Sequence, residues 1–150
     1  MARILIVAHA PLASALAGVA RHVYPDCATV VESLDVASDE AVDGVEARAA
    51  EVLRRWADDE VLILSDVFGA TPCNLALKLA DGVRVRVVAG ANVPMLWRTL
   101  CYSDEPLETL VTRAVAGATQ GVMQVSVPRR QNQSAAAPSE HDQVQHSHQQ

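Results

Sequence analysis

The 150-residue chain is expected to fold as a doubly wound, mostly parallel α/β sheet. Short apolar runs alternate four times with longer stretches at helical spacing, which is the pattern of strand, crossover helix and strand. The first run, Arg3-Ile4-Leu5-Ile6-Val7-Ala8-His9, is apolar on both faces, as a central strand covered from two sides must be. Periodicity alone leaves a buried helical segment open for that run, and the turn signal at Ala10-Pro11 favours the strand. Pro11, Pro72 and Pro94 each stand where a helical stretch begins, a position at which the missing N–H costs nothing.

After His9 a helix is expected over residues 12–24, with Leu12, Leu16, Val19, Ala20 and Val23 on its apolar face and Pro25-Asp26 ending it. Residues 28–34 read as a second strand. Residues 38–56 read as a helix with Val42, Val45, Ala49, Val52, Leu53 and Trp56 inward. Its acids come early and Arg54-Arg55 late, which suits the helix dipole. A third strand at 60–65 runs into Asp66-Val67-Phe68-Gly69-Ala70-Thr71-Pro72-Cys73-Asn74, in which Thr71-Pro72 begins a helix that Gly82 ends. Residues 83–89 alternate with Arg84 and Arg86 and predict a more exposed fourth strand. Gly90-Ala91-Asn92-Val93-Pro94 repeats the loop-to-helix pattern. Ser103-Asp104-Glu105-Pro106 opens a last helix carrying Leu107, Leu110, Val111, Ala114 and Val115, and residues 122–127 are a short strand candidate.

One folded domain over residues 1–128 is expected, followed by a tail at 129–150 rich in Gln, Ser, Ala, Pro and His that cannot bury enough surface to order itself. A loose metal site on His141, His146 and His148 is the weaker reading of that tail, and no metal or other cofactor is expected. Only five residues are aromatic, so the core must be built from Ala, Val and Leu. The formal charge of −6 and the absence of a basic stripe exclude a duplex nucleic-acid binder. Cys27, Cys73 and Cys101 form no CxxC pair and fit reduced thiols. Without a basic region before the first apolar run, and with no run near the ~20 residues that span a bilayer, a soluble cytoplasmic protein is expected.

Ligands of open α/β sheets bind at the carboxyl ends of the strands, where strand order reverses. For this length the flavodoxin-like order 2-1-3-4 is natural, and it sets His9, after strand one, opposite Asp66, after strand three. Neighbouring strands lie ~4.8 Å apart, within reach of a carboxylate and an imidazole. Such a carboxylate fixes the ring tautomer, frees the other nitrogen as a nucleophile and stabilises charge that develops on the ring. Backbone N–H groups at Ala10, after His9, and at Gly69, Ala70 and Thr71 would hold an anion with little help from Lys or Arg. The expected chemistry is phosphoryl transfer to and from His9. A lone strand-end histidine is more often a packing residue and a lone aspartate a turn residue; their conjunction beside two helix starts favours function. His22 reads as surface and Cys73 as packing.

These residues resemble a known family. Ile4-Leu5-Ile6-Val7-Ala8-His9, the string from Leu64-Ser65-Asp66 to Asn74, and Val88-Ala89-Gly90-Ala91-Asn92-Val93-Pro94-Met95-Leu96 are similar to the mannose-type enzyme IIA domain of the bacterial phosphoenolpyruvate-dependent sugar phosphotransferase system, over about residues 2–127. The resemblance implies a phosphotransferase component in which His9 is phosphorylated by the histidine-containing phosphocarrier protein, Asp66 is its hydrogen-bond partner and Thr71 helps to hold the phosphoryl group. It also implies a IIB-type acceptor, a role in sugar transport or regulation, and a homodimer in which residues 122–127 form an edge strand exchanged with the partner. Ala10-Pro11 stands where the family usually has Gly after the histidine, and this stiffens the loop.

Three other readings compete. A receiver-like domain phosphorylated on Asp66 would need acidic residues at the end of strand one to hold Mg²⁺, and Val7-Ala8-His9 offers none. A dinucleotide or flavin module would need a Gly-x-Gly-x-x-Gly after strand one, which is absent. A dimeric regulatory protein that keeps the fold without transferring phosphate remains the alternative.

Overall fold

A computed structural model describes residues 1–130. In chain order the elements are β1 (Arg3–His9), α1 (Leu12–Val23), a 3-10 turn (Ala28–Val30), β2 (Val31–Val36), α2 (Val42–Arg55), β3 (Val61–Ser65), α3 (Thr71–Leu79), β4 (Val85–Ala89), α4 (Val93–Cys101) and α5 (Leu107–Gln120). The strands form one parallel sheet in the order β2-β1-β3-β4. The doubly wound, flavodoxin-like arrangement expected from the sequence is therefore the observed one.

The alternation of side chains along β1 divides the core into two layers. Ile4, Ile6 and Ala8 pack with α1, α4 and α5 on one face, whereas Leu5 and Val7 pack with α2 and α3 on the other. All four of the largest of these residues are fully enclosed, so β1 is the axis of both layers. Burying each such side chain contributes about 1.5–3 kcal/mol, and this fixes the sheet that carries His9 at its end.

The expectations for α1 and β2 need correction. The buried face of α1 is Ala13, Leu16, Ala17 and Ala20, while Leu12 and Val23 lie partly in solvent. Small alanines admit close helix-on-sheet contact, so size was a poor guide to the inward face. β2 begins three residues later than expected, because residues 28–30 form the 3-10 turn, and it then runs level with β1 from Ile4↔Val31 to His9↔Val36. Residues 122–127 form no strand in the single chain, and Val125 and Val127 are 80% and 88% exposed. A strand needs a partner ladder, and this segment meets none among the described residues. Residues 131–150, including His141, His146 and His148, lie outside the described residues.

The strand-three end carries one anomaly. Ser65 is fully buried, and its Oγ has no hydrogen-bond partner among the described residues. An unmade hydrogen bond on a buried hydroxyl is destabilising, and alanine removes the hydroxyl while leaving the packing around Cβ. Ser65→Ala is accordingly expected to raise stability by about 1 kcal/mol. Urea and thermal unfolding check this, and a fall in stability would show that the hydroxyl has a partner.

Candidate active site

His9 is the last residue of β1 and Asp66 the first residue after β3, and the β1–β3 register brings them together. One carboxylate oxygen, Oδ2 of Asp66, accepts the backbone N–H of His9 at 3.0 Å and meets its Nδ1 at 2.6 Å. The other oxygen, Oδ1, accepts the N–H of Val67 at 3.0 Å. Burial opposes ionisation of this carboxyl, but the bonds from His9 and Val67 and the nearby ring outweigh it and hold Asp66 below the ordinary carboxylate range. An ionised carboxylate only accepts, so Nδ1 carries the proton and Nε2 is the nitrogen with a free lone pair. The His9 side chain is 52% exposed against 12% for Asp66. The ring is held at Nδ1 and half exposed.

His9 follows Val7 in the alternation of β1 and so belongs to the α2 and α3 side of the sheet. There it borders a cavity of about 240 Å³ with Val36, Ala37, Ser38, Glu40, Val42 and Thr71. The β2–α2 side of this cavity was not anticipated from the sequence. The signal was available, since in the order 2-1-3-4 the loop after strand two must flank His9. Glu40 in that loop is paired with Arg48 of α2.

α3 starts at this cavity with no side-chain cap on Ala70, and Gly69 just before it has φ +90, a left-handed conformation that L side chains rarely adopt. Its first N–H groups therefore have no helical acceptor and are aimed at the site end. α1 differs. The Ala10 N–H, expected to face an anion, is donated to the Val36 carbonyl at 3.0 Å, and the Ser14 N–H goes to Asp35 Oδ1 at 3.0 Å. Ala10 thus shapes the loop, whereas the N–H groups of Gly69, Ala70 and Thr71 meet no backbone acceptor among the described residues. The connections at 10–11, 37–41, 66–70 and 90–92 contain no Lys or Arg, so the loops at this edge carry no cationic side chain.

Asn92 caps α4 by accepting the Met95 N–H at 2.9 Å, so the Asn92-Val93-Pro94-Met95 string is structural. Cys73 is buried, as expected of a packing residue, and His22 is on the surface. No group of His, Cys, Asp and Glu among the described residues is arranged to hold a metal ion. Val67 and Phe68, beside Asp66, are 50% and 78% exposed.

The family model described as PTS system fructose IIA component, EIIA-man, matches residues 3–115. The chain belongs to the EIIA-man family. It is thus a phosphotransferase-system IIA component, as the three sequence blocks led us to expect. No protein of curated function matches it significantly. Among solved structures, this EIIA-man protein is similar to the mannose/sorbose-specific IIA subunit from Enterococcus faecalis (TM-score 0.78, 21% identity, 85% of this chain and 97% of that one). It is also similar to the EIIA component from Streptococcus agalactiae (0.70, 20% identity, 83% and 97%). A third similar structure is the IIA protein associated with the fucose utilization operon from Streptococcus pneumoniae (0.69, 22% identity, 82% and 92%). At these identities the structures speak for a common fold. No helix among the described residues is long and apolar enough to cross a membrane.

The lowered pKa of Asp66 links the EIIA-man site to stability. A carboxyl whose folded pKa is depressed contributes stability that is fully present above its unfolded pKa, near ~3.9, and is lost as pH falls through the folded value. Asp66→Asn is expected to be less stable than wild type at neutral pH, with the gap closing below about pH 4. Urea titrations across that range check it; a gap that does not change with pH would mean that the carboxylate charge contributes nothing.

Proposed function

We propose that the protein is a phosphocarrier of the sugar phosphotransferase system, accepting a phosphoryl group on Nε2 of His9 and passing it on. The observation that carries this is the Nδ1 to Asp66 bond, which leaves Nε2 as the free base over a cavity bordered by Thr71. The Nε2 lone pair attacks phosphorus on the phosphohistidine of the donor, the donor's P–N bond breaks, and the donor imidazole leaves with the electron pair. Positive charge arising on the His9 ring is balanced by Asp66 through the Nδ1 proton. The N–H groups of Gly69, Ala70 and Thr71, with the Thr71 hydroxyl, hold the phosphoryl oxygens. No metal or other cofactor enters this scheme.

The donor is the histidine-containing phosphocarrier protein and the acceptor a IIB-type protein, both meeting the exposed His9 face with Val67 and Phe68 as the apolar contact. The protein works in the cytoplasm, a reading supported by three free cysteines and the absence of a membrane-crossing helix among the described residues. It is a homodimer in which residues 122–127 pair with a second copy. Support comes from the alternating, β-prone Val122-Met123-Gln124-Val125-Ser126-Val127 segment, which has no partner strand among the described residues, and from the outer edge of β4, which among those residues pairs only with β3.

Intact mass after incubation with phosphoenolpyruvate, enzyme I and the histidine phosphocarrier protein tests the reading. Wild type gains one acid-labile phosphoryl group, His9→Ala gains none, and Asp66→Ala is slower by on the order of 10²-fold. A wild type that stays unmodified would make the protein a regulator on this fold. For the dimer, replacing Val125 and Val127 by Asp is expected to yield monomers in light scattering, whereas unchanged dimers would place the interface elsewhere.

A further inference from the structure

The start of α1 lacks every local means of capping. Its N-cap is Pro11, which has no side-chain acceptor, and its first turn holds no acid. The acceptor comes from the neighbouring strand: Asp35 Oδ1 takes the Ser14 N–H at 3.0 Å. One residue further along β2, the Val36 carbonyl takes the Ala10 N–H at 3.0 Å. The Ala10-Pro11 connection is thus fastened to the end of β2 at both of its sides. On the other side of His9, Asp66 accepts the backbone N–H of His9 itself.

Asp35 pairs in register with Ala8, on the face packed by α1, whereas His9 belongs to the opposite face with Val7. Asp35 is therefore placed to act on His9 through the backbone. Its carboxylate also occupies the positive end of α1 and uses one of that helix's free donors. An anion beside His9 is left with the uncapped start of α3.

We propose that Asp35 is a positioning residue for phosphoryl transfer: by capping α1 from β2 it fixes the His9 backbone so that Nδ1 stays on Asp66 and Nε2 faces the Thr71 cavity. The inference rests on the phosphocarrier reading above for its consequence in transfer. Its consequence for the resting ring is independent of that reading.

Asp35→Ala removes the acceptor, and Asp35→Asn keeps it, because Asn caps helix starts about as well as Asp. With phosphorylated histidine phosphocarrier protein as donor, Asp35→Ala is expected to lower the single-turnover rate constant at saturating donor by about 10-fold or more, with little change in the donor concentration that gives half the maximal rate, since small misplacements at a reacting atom cost up to about 10²-fold. Asp35→Asn is expected to recover to within about 3-fold of wild type. Val52→Ala, in the α2 core, provides a variant of reduced stability that should transfer at the wild-type rate.

In parallel, long-range ¹H–¹⁵N spectra of the unphosphorylated protein at alkaline pH report the His9 tautomer. Wild type and Asp35→Asn should show the proton on Nδ1, and Asp35→Ala a mixture. Asp35→Ala with the wild-type single-turnover rate constant and an unchanged tautomer would overturn the proposal. So would failure of Asn to rescue, or an equal loss of rate in Val52→Ala. If wild type accepts no phosphate but the tautomer still shifts in Asp35→Ala alone, the phosphocarrier reading fails while the positioning role of Asp35 stands.

Discussion

The Asp66 carboxylate bonds both to the backbone N–H and to the ring of His9. That double contact ties the imidazole to the sheet and selects the nitrogen that faces solvent. It exists only because β1 and β3 are neighbours, an adjacency that no local stretch of sequence encodes. In the order β2-β1-β3-β4 the chain leaves β1 on one side and returns on the other, and the crevice opens at that reversal. The rest of the fold serves to hold two strand ends in register.

Holding them requires a core that does not shift. β1 is enclosed on both faces, with Ile4 and Ile6 against α1, α4 and α5 and with Leu5 and Val7 against α2 and α3. Close packing continues at the α4–α5 contact, where a Cβ on Gly117 would meet the Arg98 Cβ at 2.6 Å. A core packed this closely keeps the ends of β1 and β3 in register. The charge pattern complements this rigidity. Without Lys or Arg in the loops at the strand ends, the site offers backbone dipoles that are already oriented and need no side chain to reorganise.

Much of this was legible in the sequence. The apolar runs and the prolines at helix starts gave the order of elements, and the adjacency of His9 and Asp66 followed once a strand order was assumed. What remained illegible was set by tertiary context. Ala13 and Ala17 form the inward face of α1 because small side chains allow close approach, although Leu12 and Val23 look more hydrophobic in isolation. Asp35 follows the stretch 28–34 with nothing local to mark it, because its bond to Ser14 crosses between elements. Ala10 looked like an anion ligand until its N–H was seen to be taken by Val36. Residues 122–127 have strand character in sequence and meet no partner among the described residues, so local propensity alone does not pair them.

The role of the Asp66 contact depends on which ring nitrogen reacts. Long-range ¹H–¹⁵N and ³¹P spectra of the phosphorylated protein, with ¹⁵N in histidine, read this directly. The geometry requires phosphorus bonded to Nε2 of His9, with the proton retained on Nδ1 beside Asp66. Phosphorus on Nδ1, or on any residue other than His9, would contradict the role assigned to the Asp66 contact.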